Sequence, residues 1–152
     1  MESLSVISRW LKKQHVVTFC VSNESGIWCA NAFFYFDEQR VAFYLLSDPA
    51  SRHGEMIGQS RPVAGTVNGQ TKSVALIRGL QYSGTIRLVD EADSGPLREP
   101  YYRRFPIARV HKAPIWEILV DELKFTDNTL GFGKKLFWFR DPEAAQQAGL
   151  DQ

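Results

Sequence analysis

Residues 27–69 read IWCANAFFYFDEQRVAFYLLSDPASRHGEMIGQSRPVAGTVNG, and the rest of the chain is organised around them. The stretch predicts two long strands, 27–36 and 41–46, because both runs are rich in aromatic and β-branched residues and a short polar connection separates them. Residues 47–51 supply hydroxyl side chains and a proline, which suit the start of a helix. A brief helix and a third strand complete the stretch.

Arg52 and His53 fall in the first turn of that predicted helix, beside the hydroxyl groups of Ser47 and Ser51. Hydroxyls, a cation and free backbone N–H groups at a helix start together favour an anionic group such as phosphate. The same residues also fit an ordinary helix cap on a solvated surface, because caps of this composition are common. A phosphate site and a plain cap therefore stay open as alternatives.

The two cysteines face each other if residues 23–26 form a four-residue turn between a strand at 16–21 and the strand that starts at Ile27. In that register Cys20 and Cys29 are close enough for a disulfide. We predict instead that both are buried free thiols, because the cytoplasm keeps thiols reduced and cysteine often serves as a small buried hydrophobe. No Cys-x-x-Cys spacing supports metal binding or thiol catalysis.

The same register gives the first hairpin one apolar face and one mixed face. The mixed face carries Asn31, Phe33 and Tyr35, and we expect it to meet a ligand or another subunit rather than bulk water. Contiguous apolar surface of that size is uncommon on monomers. We therefore predict that the chain forms a homodimer through this face.

The 152 residues predict one domain over 1–140 with a real core, and a flexible tail over 141–152 that has no apolar stripe to bury. Lys and Arg total 18 against 17 Asp and Glu, which leaves a net charge of +1. This balance does not call for nucleic acid or a membrane surface. Charges interrupt the apolar residues near the start of the chain, which argues against a signal peptide or membrane span and makes the cytoplasm the expected location.

Short turns between β-rich runs predict a mainly β fold, a small closed or partly closed antiparallel barrel with a few short helices. Asn68-Gly69 is a strong hairpin signal and predicts paired strands at 62–67 and 71–77, the second continuing to Val89. The remaining predicted elements are an amphipathic helix at 2–14 and strands at 115–125 and 134–140.

Residues 90–112 break the β pattern and place Arg103, Arg104 and Arg109 among aromatic side chains. Basic residues interleaved with aromatic ones can bind nucleic acid. Because the stretch is short and the whole chain is near neutral, a connecting helix with solvated arginines is the better interpretation. An interaction surface for RNA or protein is the alternative.

Five strings carry a resemblance to a known family: ISRWLKKQHVVTFCV, AGTVNGQ, VALIRG, YRRFPIAR and KFTDNTLGFGKK. Through them nearly the whole chain resembles the YhbP family of bacterial proteins. Residues 45–53 also resemble a segment of the pyridoxamine 5′-phosphate oxidase-like flavoproteins, in which a strand ends at a Thr or Ser and a Ser-Arg-Lys triplet opens a helix. The resemblance implies an antiparallel split β-barrel, a homodimer and an FMN site at the dimer interface.

The resemblance also implies which residues hold the FMN phosphate. A strand-end hydroxyl and an Arg-Lys pair hold it in the oxidases, and Ser47, Arg52 and His53 match these positions, with His53 replacing the lysine. Two further cations of the oxidases fall near Asn31 and Phe36, which are not basic. Part of the phosphate clamp is therefore missing, so the resemblance implies that FMN binding is plausible, with weak or absent binding as the alternative.

A glutamine of the oxidases falls near Gly79, with Arg78 beside it. The candidate cofactor-binding residues are thus Ser47, Ser51, Arg52, His53 and Arg78. The leading expectation is a small FMN-dependent oxidoreductase whose substrate and catalytic residues the sequence does not name. The alternative is a non-catalytic module that binds a flavin, another phosphorylated small molecule or a tetrapyrrole.

Overall fold

A computed structural model describes residues 2–110 and 112–149 of the chain. Within these residues, eight strands form one antiparallel sheet in the order β2-β1-β5-β6-β7-β4-β3, with β8 paired to β7, and the sheet curls into a half-barrel. The strands are β1 Val16–Asn23, β2 Gly26–Phe33, β3 Tyr35–Asp37, β4 Ala42–Leu46, β5 Ser60–Asn68, β6 Arg78–Leu88, β7 Ile115–Asp127 and β8 Lys135–Phe139. The helices are α1 Glu2–Leu11, α2 Arg52–Ile57, α3 Glu91–Arg104 and α4 Pro142–Gln147. The mainly β prediction is confirmed.

β7 is the strand that joins the two parts of the sheet. It pairs with β6 from Trp116 to Asp127 with a break at Asp121, with β4 over Ile115 to Leu119, and with β8 over Glu122 to Thr126. The β6–β7 register shifts between Ser83 and Gly84, which marks a bulge. Bulges increase the local bend and twist of a strand, so this one helps the sheet to curl.

The core fills the inside of the curl, and α1 covers it. Ile7 and Leu11 of α1 are fully buried, as an amphipathic helix with its apolar stripe inward requires. The largest fully buried side chains are those of Trp116, Tyr44, Phe19, Phe34, Phe36, Phe43 and Phe125. In the described part of the chain, none of the helices has the length and apolarity needed to cross a bilayer.

The predicted register of the first hairpin is confirmed, since Cys20 lies opposite Cys29 with 4.2 Å between their Cα atoms. The prediction of buried free thiols is wrong, because the two cysteines form a disulfide. Neither residue is fully buried: Cys20 is half-buried and Cys29 is exposed. A directly opposed pair at the edge of the sheet suits a cross-strand bridge, and this local geometry overrides the argument from cellular compartment.

The predicted strand at 71–77 is also wrong. Residues 69–77 form a longer connection that contains a 3-10 turn at Val74–Leu76, and β6 begins only at Arg78. Leu80 and Tyr82 then point into the core, and this burial outweighs the local preference of Asn68-Gly69 for a tight turn.

The outcomes differ for the strand predicted at 27–36 and for the flexible tail predicted at 141–152. The long strand predicted at 27–36 is interrupted at Phe34, which is fully buried and separates β2 from β3. Asp141 caps α4 by accepting a hydrogen bond from the backbone N–H of Glu143. The flexibility of the tail over 141–152 stays a prediction, and Leu150 to Gln152 lie outside the described residues.

Candidate functional site

Three of the candidate residues meet where β4 ends and α2 begins. The Ser47 Oγ lies 2.6 Å from His53 Nε2, and the Ser51 Oγ lies 3.1 Å from the same nitrogen. Ser51 also caps α2, because its Oγ accepts a hydrogen bond from the backbone N–H of Gly54 at 3.1 Å. The helix cap predicted from the sequence is therefore present, and the same Ser51 hydroxyl also contacts the His53 imidazole. We call Ser47, Ser51 and His53 the serine–histidine cluster.

His53 is half-buried against the core. Its ring packs edge-on to Phe19, with 5.4 Å between ring centroids. Burial lowers the pKa of His53 from its usual 6.5, and the nearby Asp48 carboxylate opposes that change only in part. The imidazole is therefore mainly neutral at pH 7, so it does not carry the fixed charge that a lysine would bring.

Arg52 lies beside the cluster but its guanidinium turns toward β2. The guanidinium carbon lies 3.8 Å from the centroid of the Trp28 ring, which is a cation–π contact. Arg52 is exposed, so it can exchange this contact for another partner. In this arrangement the cation that the sequence assigned to a phosphate is close to the serine–histidine cluster without pointing into it.

Arg78 is not brought to the other four candidates within one chain. It opens β6 opposite Asp127 at the end of β7, and its Nε lies 3.8 Å from the Asp127 Oδ1. Leu46, directly before Ser47, pairs with Ile115 at the other end of β7. A role for Arg78 in the same site thus requires a second subunit and stays a prediction.

A pocket of about 660 Å³ opens next to the end of β4, on the mixed face of the first hairpin. Its volume lies within the range of small-molecule sites. Its walls come from β2, from the end of β4, and from the end of α3 with the 3-10 turn Pro106–Val110 that follows. The lining residues are Asn31, Ala32, Phe33, Leu46, Tyr101, Arg104, Phe105, Pro106, Ile107, Ala108 and Ala113.

Two residues of α3 add polar groups to this pocket, and sequence reasoning did not place either of them at a binding pocket. The Tyr101 hydroxyl donates to the backbone carbonyl of Phe33 at 3.1 Å, and burial raises the pKa of Tyr101 to about 12. Arg104 is half-buried, donates to the backbone carbonyl of Gln14, and has its pKa lowered by burial. The sequence pattern favoured a solvated arginine at position 104. Only the fold shows that Arg104 lines a pocket.

A second polar cluster lies around Glu117, which is 1% exposed. Its carboxylate accepts hydrogen bonds from Arg40 Nε at 2.7 Å, from Arg87 Nε at 2.9 Å and from the Tyr44 hydroxyl at 2.6 Å. Burial alone would raise the pKa of Glu117, but these donors outweigh it and lower the pKa to about 2. The charge is fully compensated, so this cluster stabilises the sheet rather than forming a reactive site.

Comparison with known proteins bears on both the family and the fold. No family model matches the chain. A UPF0306 protein of Cronobacter sakazakii is 66% identical over 144 residues, which cover 95% of this chain and 100% of that protein. The UPF0306 protein YhbP of Salmonella arizonae is 60% identical over 146 residues, which cover 96% of this chain and 99% of that protein.

Among solved structures, a heme binding protein from Mycobacterium smegmatis has a TM-score of 0.72 at 10% identity, covering 90% of this chain and 57% of that one. An FAD-binding protein from Mesorhizobium loti scores 0.60 at 11% identity, covering 78% and 89%. A protein from Clostridium acetobutylicum related to general stress protein 26, of the pyridoxinephosphate oxidase family, scores 0.64 at 14% identity, covering 92% and 96%. These similarities show the split-barrel fold.

Proposed function

Since the chain belongs to the UPF0306 family of YhbP and has the split-barrel fold, we propose that it is a homodimeric protein that binds FMN. The serine–histidine cluster and Arg52 would hold the phosphate, and the neighbouring pocket would accept the apolar parts of the bound molecules. One observation carries the proposal: cluster and pocket begin at adjacent residues, Ser47 and Leu46, at the end of β4. The FAD-binding and oxidase-family neighbours support a flavin as the ligand class.

The residues present fit a phosphate in part. Two hydroxyls lie 2.6 Å and 3.1 Å from the same imidazole nitrogen, and an exposed guanidinium lies beside them. The two further cations of the oxidases have no counterpart at Asn31 and Phe36. Because a hydrogen bond to a charged group contributes about 1.5–3 kcal/mol, we expect FMN to bind more weakly than a complete clamp would allow.

When bound, FMN would supply the redox chemistry, accepting or donating electrons that the side chains of this chain cannot carry. The protein's part is to hold the phosphate, to orient the ring and to keep water from the pocket. Arg78 would reach the site from the second subunit. Whether the bound flavin turns over is decided by adding NAD(P)H to the FMN-loaded protein: turnover makes it an oxidoreductase, and stable flavin bands without turnover make it a carrier.

Calorimetric titration with FMN tests the phosphate site. Arg52→Ala should lower the affinity about tenfold at pH 8, because it removes one charge-assisted contact, while His53→Ala should have a smaller effect because that imidazole is neutral there. Arg9→Ala, on the exposed side of α1, is the matched control. Wild-type protein that binds no FMN would exclude the flavin; measurable binding that Arg52→Ala leaves unchanged would place the phosphate elsewhere.

The pH dependence of the same titration follows from His53. Its imidazole gains a proton only as pH falls below its usual 6.5, because burial lowers its pKa. FMN affinity should therefore rise below about pH 6.5 rather than between pH 8 and 7. Protonation of the phosphate, with a second pKa of about 6, limits the gain. His53→Gln should abolish this acid-side increase.

A tetrapyrrole is the second candidate ligand, with other phosphorylated small molecules as the remaining alternative. The aromatic lining of the pocket by Phe33, Tyr101 and Phe105 favours it, as does the heme binding neighbour. The absorption spectrum of the protein after addition of hemin separates the two ligands, because a shifted Soret band reports heme binding and flavin bands report FMN.

A further inference from the structure

We propose that the pocket beside β4 selects ligands that combine an apolar or aromatic body with an acidic group, and that Arg104 binds that acidic group. The acidic group defines the substrate class for the proposed function. That a ligand occupies the pocket at all rests on the proposed function. The expected ligand is an organic acid such as an aromatic carboxylate, held with its ring among the apolar walls.

Charge is distributed very unevenly in this pocket. Among the lining residues that the structure describes, Arg104 is the only charged side chain, and the others are apolar apart from Asn31 and Tyr101. Within residues 2–110 and 112–149, no carboxylate oxygen lies within 4.0 Å of its guanidinium. A half-buried cation without a counterion has lost hydration without gaining an ion pair. An anionic ligand would supply the missing partner.

The guanidinium of Arg104 is also held in place. It donates a hydrogen bond to the backbone carbonyl of Gln14, and its central carbon lies 5.6 Å from the Phe34 ring centroid and 5.3 Å from that of Phe105. These contacts fix the group from several sides before any ligand arrives. Guanidinium has five N–H donors, so donors remain for a carboxylate, which it can bind through two parallel hydrogen bonds.

Asn31 adds a second donor on the β2 wall of the pocket. Its Oδ1 accepts a hydrogen bond from the Thr18 hydroxyl at 2.6 Å, which leaves the amide nitrogen available to the pocket. The Tyr101 hydroxyl is committed to the carbonyl of Phe33. The Tyr101 oxygen has no proton left for an anion, so the side-chain donors that the described lining residues offer to a ligand are those of Arg104 and Asn31. A donor beside a cation favours an acid over a neutral or basic molecule of the same shape.

The experiment compares two fluorescent probes that share one aromatic skeleton: anilinonaphthalene sulfonate, which is anionic, and phenylnaphthylamine, which lacks the acidic group. We expect the wild type to bind the anionic probe more tightly. Arg104→Ala should weaken the anionic probe roughly ten- to hundredfold and change the neutral probe less than about twofold. Arg104→Lys should retain part of the preference, because it keeps the charge but loses the planar fork.

Arg103→Ala is the matched control, since Arg103 is the neighbouring residue of α3 and is exposed. It should leave both affinities unchanged. The ratio of the two affinities is the readout, so a loosened fold that binds both probes more strongly does not imitate the result. If Arg104→Ala fails to fold, Arg104→Gln keeps the shape and removes the charge, and it must show the same loss of preference.

Equal affinity of the wild type for both probes would overturn the proposal, as would a preference that persists in the Arg104 variants. Parallel titration with FMN separates this inference from the proposed function. If Arg104→Ala weakens binding of the anionic probe and leaves the FMN affinity unchanged, both the pocket assignment and the proposed FMN site are supported. An acid preference that depends on Arg104 in a protein that never binds FMN keeps the pocket assignment and removes the flavin.

Discussion

Glu117 is a buried carboxylate that stays ionised because three side chains donate to it. Arg40, Arg87 and Tyr44 come from three different segments of the chain and meet at this one acid. The hydrogen bonds to Glu117 also raise the pKa of Arg40. Removal of the acid would leave two guanidinium groups facing each other without a counterion, so the residue stabilises its surroundings more than its single charge suggests.

We predict that Glu117→Gln lowers the free energy of unfolding by about 2–4 kcal/mol at pH 7. The pKa of Glu117 is about 2 in the folded protein, below its ordinary 4.5, so its contribution is present above pH 4.5 and is lost as pH falls toward 2. Urea unfolding at pH 7 and pH 3 should therefore show a smaller difference between variant and wild type at the lower pH. Glu122→Gln, an exposed carboxylate on the same strand, is the control.

A second prediction at the residue scale concerns how the Cys20–Cys29 disulfide affects the stability of the protein. It closes a short loop around the β1–β2 turn, and cross-links of that size stabilise by about 2–3 kcal/mol through the unfolded chain. Cys29→Ser should lower the midpoint of unfolding accordingly, and a reducing agent should lower the wild type to the same value. Free thiols that react with iodoacetamide in the native, non-reduced protein would contradict the disulfide.

At the scale of elements, the sequence predicts what local patterns determine. The β1–β2 register follows from the turn at residues 23–26, since a loop of fixed length sets every pair after it. The Asn68-Gly69 prediction fails because the register of β6 is set by β5 and β7 together, a three-strand relation that no local signal contains. The residues of β6 that pair with β7 are therefore determined by the whole fold and not by the sequence near Asn68-Gly69.

The candidate site divides in the same way. Ser47, Ser51 and His53 are close in sequence and the structure brings them together as predicted. Arg104 reaches the pocket only because α3 packs beside the ends of β2 and β4, far from it in sequence. Arg78, which the family resemblance placed with the others, lies at the far end of β7 from them within one chain, and its place in the site stays a prediction.

The bulge between β6 and β7, where Asp121 of β7 is unpaired, lies beside Gly84 and predicts a strong response there. A Cβ there would collide with the backbone carbonyl of Leu119 on β7, and backbone cannot move aside as a side chain can. Gly84→Ala should lower the free energy of unfolding by about 1–3 kcal/mol. Gly95→Ala in α3 is the control: nothing lies within 4 Å of its Cβ position, so it should stabilise by about 0.5–1 kcal/mol.

For the whole molecule, the exposed apolar surface around the pocket predicts association. Phe33 is 53% exposed and Ile107 is 79% exposed. Such side chains gain stability when a second subunit covers them. Light scattering should therefore give a mass near twice the 17.3 kDa of one chain, and a mass of one chain at micromolar concentration would contradict the homodimer.

A variant locates the surface. Phe33→Ser should raise the dissociation constant of the dimer roughly tenfold or more, because aromatic residues dominate interface energetics. Phe132→Ser is the control, since Phe132 is 84% exposed in the connection between β7 and β8, away from the pocket. A dimer that responds to Phe132 and not to Phe33 would be built on another face.

The double pairing of β7 also governs how the chain folds while it leaves the ribosome. β4 emerges early, but Leu46 meets its partner only when Ile115 has been made, and β6 waits for the same strand. At about 5–20 residues per second, the nascent chain therefore exposes unpaired apolar strand edges for several seconds. Such edges readily pair with other chains. The half-made protein, rather than the finished one, is the state that a chaperone has to shield.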